Sequence, residues 1–227
     1  MSALDEHLKK HRKKIIDREE KTFREMLAAY AETEKELKKS FDDLQKKIEA
    51  AQANGETISP SWFFREKRLK NLLAQVQEQI SRFGGVATKI VEREQRAAIQ
   101  IAISQAQETY ELLTDNAPDV RDLGSTLNPR TVETAVGMMG DGSPILSYFE
   151  KQLAPLVAEK IKSEVIKAAA IGTDFKTISK RLQETGGITK HRALSCARTE
   201  VNRVFNLAKL DFYRQINEFY KAKNKKT

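Results

Sequence analysis

His7 and His11 stand four residues apart, a spacing that puts two imidazoles on one face of a helix and could hold zinc. A zinc site needs further ligands, and no other His or Cys lies near. The two histidines therefore read as part of a polar, solvated helix face, and no metal is expected. Cys196 would need a base to act as a nucleophile, but it stands among Leu194, Ala197 and Val201, with His191 on the wrong side of a helical turn. It reads as a small buried hydrophobe. Gly140-Asp141-Gly142 could cradle a phosphate, yet it has neither the lysine pattern of a P-loop nor dinucleotide-binding glycine spacing, which leaves a turn. Adjacent carboxylates such as Asp42-Asp43 and Glu19-Glu20 point in different directions from a helix and cannot share a proton as an acid/base pair. The sequence thus assembles no catalytic residue, cofactor or metal, and it reads as a non-enzyme.

The elements that carry these residues follow from composition and period. The 227 residues suffice for one or two domains. A single cysteine excludes an internal disulfide framework. No apolar run approaches the roughly 18 residues of a membrane span, and the charged start Met1-Ser2-Ala3-Leu4-Asp5-Glu6 lacks the apolar core of a signal peptide. With 32% charged residues and long stretches free of Gly and Pro, the fold class is all-α, not all-β or doubly wound. We expect a long N-terminal helical hairpin or coiled-coil-like arm over residues 1–116, a small multi-helix domain over 117–220, and a basic tail over 221–227.

From Leu4 to Ala53 there is no Gly or Pro, and Ile16, Phe23, Tyr30, Leu37, Leu44 and Ala51 recur every seven residues. Met26, Leu27, Phe41 and Ile48 widen this line into a stripe that must find a partner. Asn54-Gly55 supplies a stop. Ser59-Pro60 supplies a restart, with Ser at the N-cap accepting a backbone bond and Pro at the first helical position. Trp62, Leu69, Leu73, Val76, Ile80 and Phe83 continue as a seam until Gly84-Gly85 breaks it. A third, Ala-rich helix then runs from Val86 to Leu113 and ends at Asp115-Asn116-Ala117-Pro118.

Asn128-Pro129 and Ser143-Pro144 repeat the cap-then-proline signature. They predict helices from Pro129 to about Met139 and from Pro144 to about Ala170, the latter kinked or split at Pro155. After Gly172-Thr173-Asp174 a short helix turns Phe175, Ile178 and Leu182 inward and ends at Gly186-Gly187. The last helix opens after Thr189, with Leu194, Ala197, Val201, Val204, Phe205, Ala208 and Phe212 on its apolar face.

Charge divides the chain. Residues 1–120 carry 21 basic and 21 acidic side chains, whereas residues 121–227 carry 19 and 11, the whole of the net +8. A basic end suits an acidic partner, nucleic acid foremost. Two helices joined by Gly186-Gly187, the second bearing Arg192, Arg198, Asn202, Arg203 and Lys209, have helix-turn-helix spacing able to meet phosphates or bases. Along that helix Arg198 and Glu200, two apart, do not face each other, while Glu200 and Arg203 can pair at i, i+3.

Gly186-Gly187-Ile188-Thr189, followed by Arg192-Ala193-Leu194-Ser195-Cys196-Ala197-Arg198-Thr199-Glu200 and by Asn206, Ala208 and Tyr213, resembles the Ala-Arg-Thr-Glu helix of phage head morphogenesis proteins, the Mu-type minor head family. The stretch from Gly137-Met138-Met139-Gly140-Asp141-Gly142-Ser143-Pro144 to Leu146, and Ile171-Gly172-Thr173-Asp174 through Leu182, resemble the preceding segments of that family, so the likeness covers about residues 126–216. The resemblance implies a minor capsid component of the virion, present in several copies at the portal vertex. It would contact the portal protein and the major capsid protein and assist head assembly, DNA packaging or DNA ejection. It further implies that Arg198, Thr199, Glu200 and Asn206 form a structural or portal-contact motif, with Arg198 and Glu200 fixing the helix. Arg192, Arg203, Lys209 and Arg214 would then supply a positive field for packaged double-stranded DNA without sequence preference. Members commonly continue into a segment with Trp, Cys and His residues, whereas this sequence closes on Lys223-Asn224-Lys225-Lys226-Thr227, so no role of that segment carries over. The competing expectation is a regulatory or packaging protein that binds DNA through a helix-turn-helix at residues 174–214.

Overall fold

The computed structural model describes residues 3–114, 134–171 and 175–224, without the side chains at 66, 168–171, 175–183, 186, 188, 223 and 224. The expected stops at Asp115–Pro118 and Gly172–Asp174, the start at Asn128-Pro129 and the inward Phe175, Ile178 and Leu182 side chains lie outside the described residues.

The described chain is all-α. Helix α1 (Ala3–Ala53) is followed by α2 (Pro60–Phe64), a 3-10 turn (Arg65–Lys67), α3 (Arg68–Leu113), α4 (Ile145–Ser147), a π turn (Tyr148–Leu153), α5 (Ala154–Ile171) and α6 (Phe175–Asn224). No strand occurs among the described residues; Met138 and Pro144 form an isolated antiparallel bridge. The chain packs as two compact units, each drawn from both sides of residue 116. The first comprises Met1–Glu25, Thr88–Pro144 and Cys196–Thr227, and the second Met26–Ala87 and Ile145–Ser195. Helices α1, α3 and α6 each contribute to both units.

Helix α1 ends as its sequence dictates. Gly55 adopts φ +78°, its N–H donates to Gln52 O at 3.0 Å, and the Glu56 N–H donates to Ala51 O at 2.9 Å. This left-handed close satisfies two carbonyls that the last turn would leave unpaired. The seven-residue line holds from Tyr30 through Leu37, Leu44 and Ala51, which are buried, but fails before it: Ile16 is 44% and Phe23 41% exposed. A straight helix has 3.6 residues per turn and drifts about 20° per heptad, so a strict seven-residue repeat leaves the buried face when followed backwards. The positions buried there are His7 and His11.

In the second unit α1 contributes Met26, Tyr30, Leu37 and Phe41 to the core, α3 contributes Leu69, Leu72, Val76, Ile80 and Phe83, and the segment after Pro144 contributes Ile145, Phe149, Leu153 and Val157. Tyr30, Phe83 and Phe149 interlock edge to face at 5.2 and 5.7 Å between ring centroids. Burial pushes the Tyr30 phenol up to about 12, opposed by its hydrogen bond with Thr189. Pro60 takes the first position of α2 as expected, but the Ser59 side chain makes no backbone cap and instead meets Ser61 Oγ at 2.7 Å. The predicted uninterrupted seam from Trp62 is broken by the 3-10 turn, where Lys67 adopts φ +57°. The break brings the Arg68 guanidinium over the buried Trp62 ring, 4.1 Å from its centroid, and lets it donate to Trp62 O at 3.1 Å.

Three expected helix interruptions take other forms. Gly84-Gly85 lies inside continuous α3. A Cβ at Gly84 would come within 2.4 Å of Phe149 Cβ, so this glycine admits a neighbouring chain and does not end the helix. Gly186-Gly187 lies inside continuous α6, and Thr189 is no cap: buried in mid-helix, its hydroxyl donates to Thr185 O at 3.0 Å. Pro155 sits in the first turn of α5, directly after the π turn, where a widened backbone accommodates a residue without an N–H.

In the first unit Ile99, Ala102, Ile103 and Ala106 of α3 pack with Val136 and with Val204, Ala208, Phe212 and Ile216 of α6. Ala197, Val204, Ala208 and Phe212 of the predicted apolar face are buried, and Leu194, Val201 and Phe205 are partly buried. Helix α1 is tied to α3 by charge: Arg18 meets the buried Glu94 at 2.9 Å, and Arg93 bridges Glu94 and Glu25.

Candidate functional site

The described residues bring two of the sequence's motif segments together in the first unit. The turn from Gly137 to Pro144 is built by backbone geometry: Met139 N–H donates to Ser143 O at 2.7 Å, Gly142 N–H donates to Met139 O at 3.0 Å, and Gly137 and Gly142 adopt φ +77° and +82°. These left-handed conformations favour glycine. Asp141 closes the turn by accepting from the Ser143 hydroxyl at 2.7 Å and its amide at 2.9 Å, which together hold the carboxyl below its ordinary range. The turn expected at Gly140-Asp141-Gly142 is present, whereas the helix expected to reach Met139 has already given way to a turn at Val136-Gly137.

Helix α6 clamps this turn with a charged pair. Glu200, 4% exposed, accepts from Arg203 Nε at 2.6 Å through one oxygen and from the Gly140 N–H at 3.3 Å through the other. Arg203 then extends its fork to Met138 O at 2.7 Å and, more weakly, to Ala135 O at 3.4 Å. A guanidinium presents its donors in a rigid plane, which lets one side chain satisfy a carboxylate and successive carbonyls. Gln95 of α3 completes the frame by accepting the Gly137 N–H at 2.8 Å. A Cβ at Gly137 would meet the end of the Glu92 side chain, Oε1, at 2.8 Å, whereas one at Gly140 would sit in ordinary contact 3.4 Å from Arg203 Cδ.

These positions redistribute the expected roles. Of the motif Arg198, Thr199, Glu200 and Asn206, only Glu200 is buried; the other three are exposed. Arg198 lies two residues from Glu200 on a different side of the helix, and the partner of Glu200 is Arg203 at i, i+3. Arg203 was expected among the DNA-facing cations but is engaged by the turn. Arg192 and Arg214 are exposed, and Lys209 lies over the Phe205 ring, 5.6 Å from its centroid. Cys196 is largely buried with Sγ 3.7 Å from Met139 Sδ, and burial, then the Glu200 charge, pushes its thiol up to about 11. It packs as a hydrophobe, as expected. With both Glu200 oxygens and most of the Arg203 fork engaged, this arrangement holds a loop in place and exposes its Asp141-Gly142 tip.

His7 and His11 depart most from expectation: they are 8% and 0% exposed, not a solvated face. Both reach Glu108 of α3. This third partner was missed because it is a carboxylate, and because it lies 97 residues from His11 in sequence. No local pattern around the histidines announces it.

Neither a protein family, nor a curated protein, nor a solved structure matches this chain.

Proposed function

We propose that this chain is a non-enzymatic minor head protein of a tailed bacteriophage, acting at the portal vertex during head assembly and DNA packaging or delivery. The observation that carries the reading is the contact between Glu200 and Arg203 on one side and Met138 and Gly140 on the other. The Gly-Asp-Gly-Ser-Pro stretch and the Ala-Arg-Thr-Glu helix, which carry the family resemblance at a separation of 60 residues, act here as one folded motif. A resemblance arising by chance gives no reason for its two pieces to be each other's hydrogen-bond partners. The exposed Arg192, Arg198 and Arg214 offer α6 a positive surface toward packaged DNA. The helix-turn-helix alternative requires a turn at Gly186-Gly187, where α6 is continuous.

The test is mass spectrometry of assembled, purified particles for this chain, combined with fluorescence anisotropy on random-sequence duplex across a salt series. A minor head protein copurifies with particles and binds duplex weakly, without sequence preference and with steep loss in salt. Absence from particles, together with binding to one preferred duplex that survives competitor DNA, replaces this reading with that of a regulator.

A further inference from the structure

The first turns of α1 and the last turns of α3 bring three metal-ligating side chains together within the first unit. His7 Nδ1 lies 3.1 Å and His11 Nε2 3.2 Å from the same Glu108 oxygen, Oε2, and one ligand atom from each of the three residues falls within 4.8 Å of the others. Tetrahedral zinc with metal–ligand distances near 2.05 Å separates its ligand atoms by about 3.3 Å, so both imidazole–carboxylate distances already match an edge of that tetrahedron.

The surrounding hydrogen bonds decide what sits between them. The Thr109 hydroxyl donates its single proton to Gln105 O at 2.6 Å, so its contact with His7 Nε2 at 3.1 Å requires His7 Nε2 to be the donor. Nδ1 then faces a carboxylate oxygen 3.1 Å away, and the pair can be bridged by a ring proton or by a metal ion that His11 shares. His11 presents its Nε2 to the same oxygen, while its buried Nδ1 has no partner among the described residues. Glu108 is oriented in turn by Ser104, whose hydroxyl donates to Oε1 at 2.8 Å. Two of the three groups are thus held by outer hydrogen bonds, as metal ligands commonly are.

We propose that His7, His11 and Glu108 bind a divalent transition metal of the zinc class, which fastens the start of α1 to the end of α3. Two imidazoles and one carboxylate select zinc, cobalt or nickel over magnesium and calcium, which favour oxygen ligands throughout. The Glu108 side chain is 40% exposed, so water reaches the cluster and fills the remaining vertex. The cluster shares no residue with the Glu200–Arg203 clamp, and the inference stands apart from the proposed function.

The experiment uses the full chain, stripped with chelator, in calorimetric titration with zinc chloride and in visible spectroscopy with cobalt chloride. Zinc binds stoichiometrically, tetrahedral cobalt gives strong visible bands, and magnesium in excess displaces neither. The His7→Gln/His11→Gln variant loses binding. Thr109→Val, which removes the hydrogen bond to His7 together with the one to Gln105 O, weakens it about 10–100-fold. Circular dichroism establishes that each variant retains its helices, and the cobalt spectrum of the unaltered chain reads the site without any substitution. No zinc heat and no cobalt bands in the unaltered chain overturn the proposal, as does undiminished zinc binding after replacement of both histidines.

Discussion

Replacing Arg203 by Ala tests the clamp on the Gly137–Pro144 turn. The change removes the donor 2.6 Å from Glu200 and the donor 2.7 Å from Met138 O. It leaves a carboxylate that is 4% exposed with only the Gly140 N–H at 3.3 Å. Breaking a buried ion pair from one side costs about 3–5 kcal/mol. The Arg203 side chain is a quarter exposed, so solvent screens part of that interaction and brings the cost to or just below the bottom of that range. We expect a loss of about 2–3 kcal/mol, or a fall in melting temperature of roughly 4–12 °C for a chain of this size. Urea denaturation followed by circular dichroism measures it. Arg198→Ala, at an exposed position on the same helix, should stay within about 0.5 kcal/mol of the parent. The double variant Glu200→Leu/Arg203→Met should recover part of the loss, because no charge is then stranded. Equal effects of Arg203→Ala and Arg198→Ala, or no measurable effect of the former, would refute the clamp.

Two adjacent glycines of α3 should respond in opposite directions. Gly85→Ala adds a methyl with nothing within 4 Å and should stabilise by up to about 1 kcal/mol, whereas Gly84→Ala drives its Cβ into Phe149 and should destabilise by about 1–3 kcal/mol. Thermal melts of the two variants check this. The Cys196 thiol, raised by burial from 9.0 to about 11, ionises in the unfolded chain before it does so in the folded one. Its contribution to stability should be whole below about pH 9 and lost as pH rises through about 11, and Cys196→Ala should flatten that limb in denaturation curves taken across the range.

The elements with one dominant local cause were legible in the sequence. A Gly-free, Pro-free run closed by Asn54-Gly55 has a single outcome, and so does the apolar period from Ala197 to Phe212. Gly84 reads as a turn because a glycine needed for close packing and a glycine needed for a turn look alike in one dimension, while Gly187, with nothing within 4 Å of an added Cβ, is a glycine that the helix simply tolerates. What separates them is the neighbour, here the Phe149 side chain from a segment more than 60 residues away. Glu200 and Arg203 pair as their i, i+3 spacing predicts, but the backbone atoms of Met138 and Gly140 that they also hold are encoded by no side-chain pattern. The histidine spacing has no third His or Cys beside it in sequence; the third group is a glutamate brought in by tertiary packing.

The contact between Gly84 and Phe149 also constrains how such a sequence can diverge. With Phe at 149, any side chain at 84 collides; with Gly at 84, a smaller residue at 149 opens a void beside the Phe83 ring. The atom that a residue at 84 would strike is the Phe149 Cβ, which every residue except glycine keeps, so trimming the ring at 149 makes no room. Chains descended from a common ancestor with this one should therefore keep glycine at 84 whatever apolar residue stands at 149, even where the surrounding helix surfaces have diverged freely.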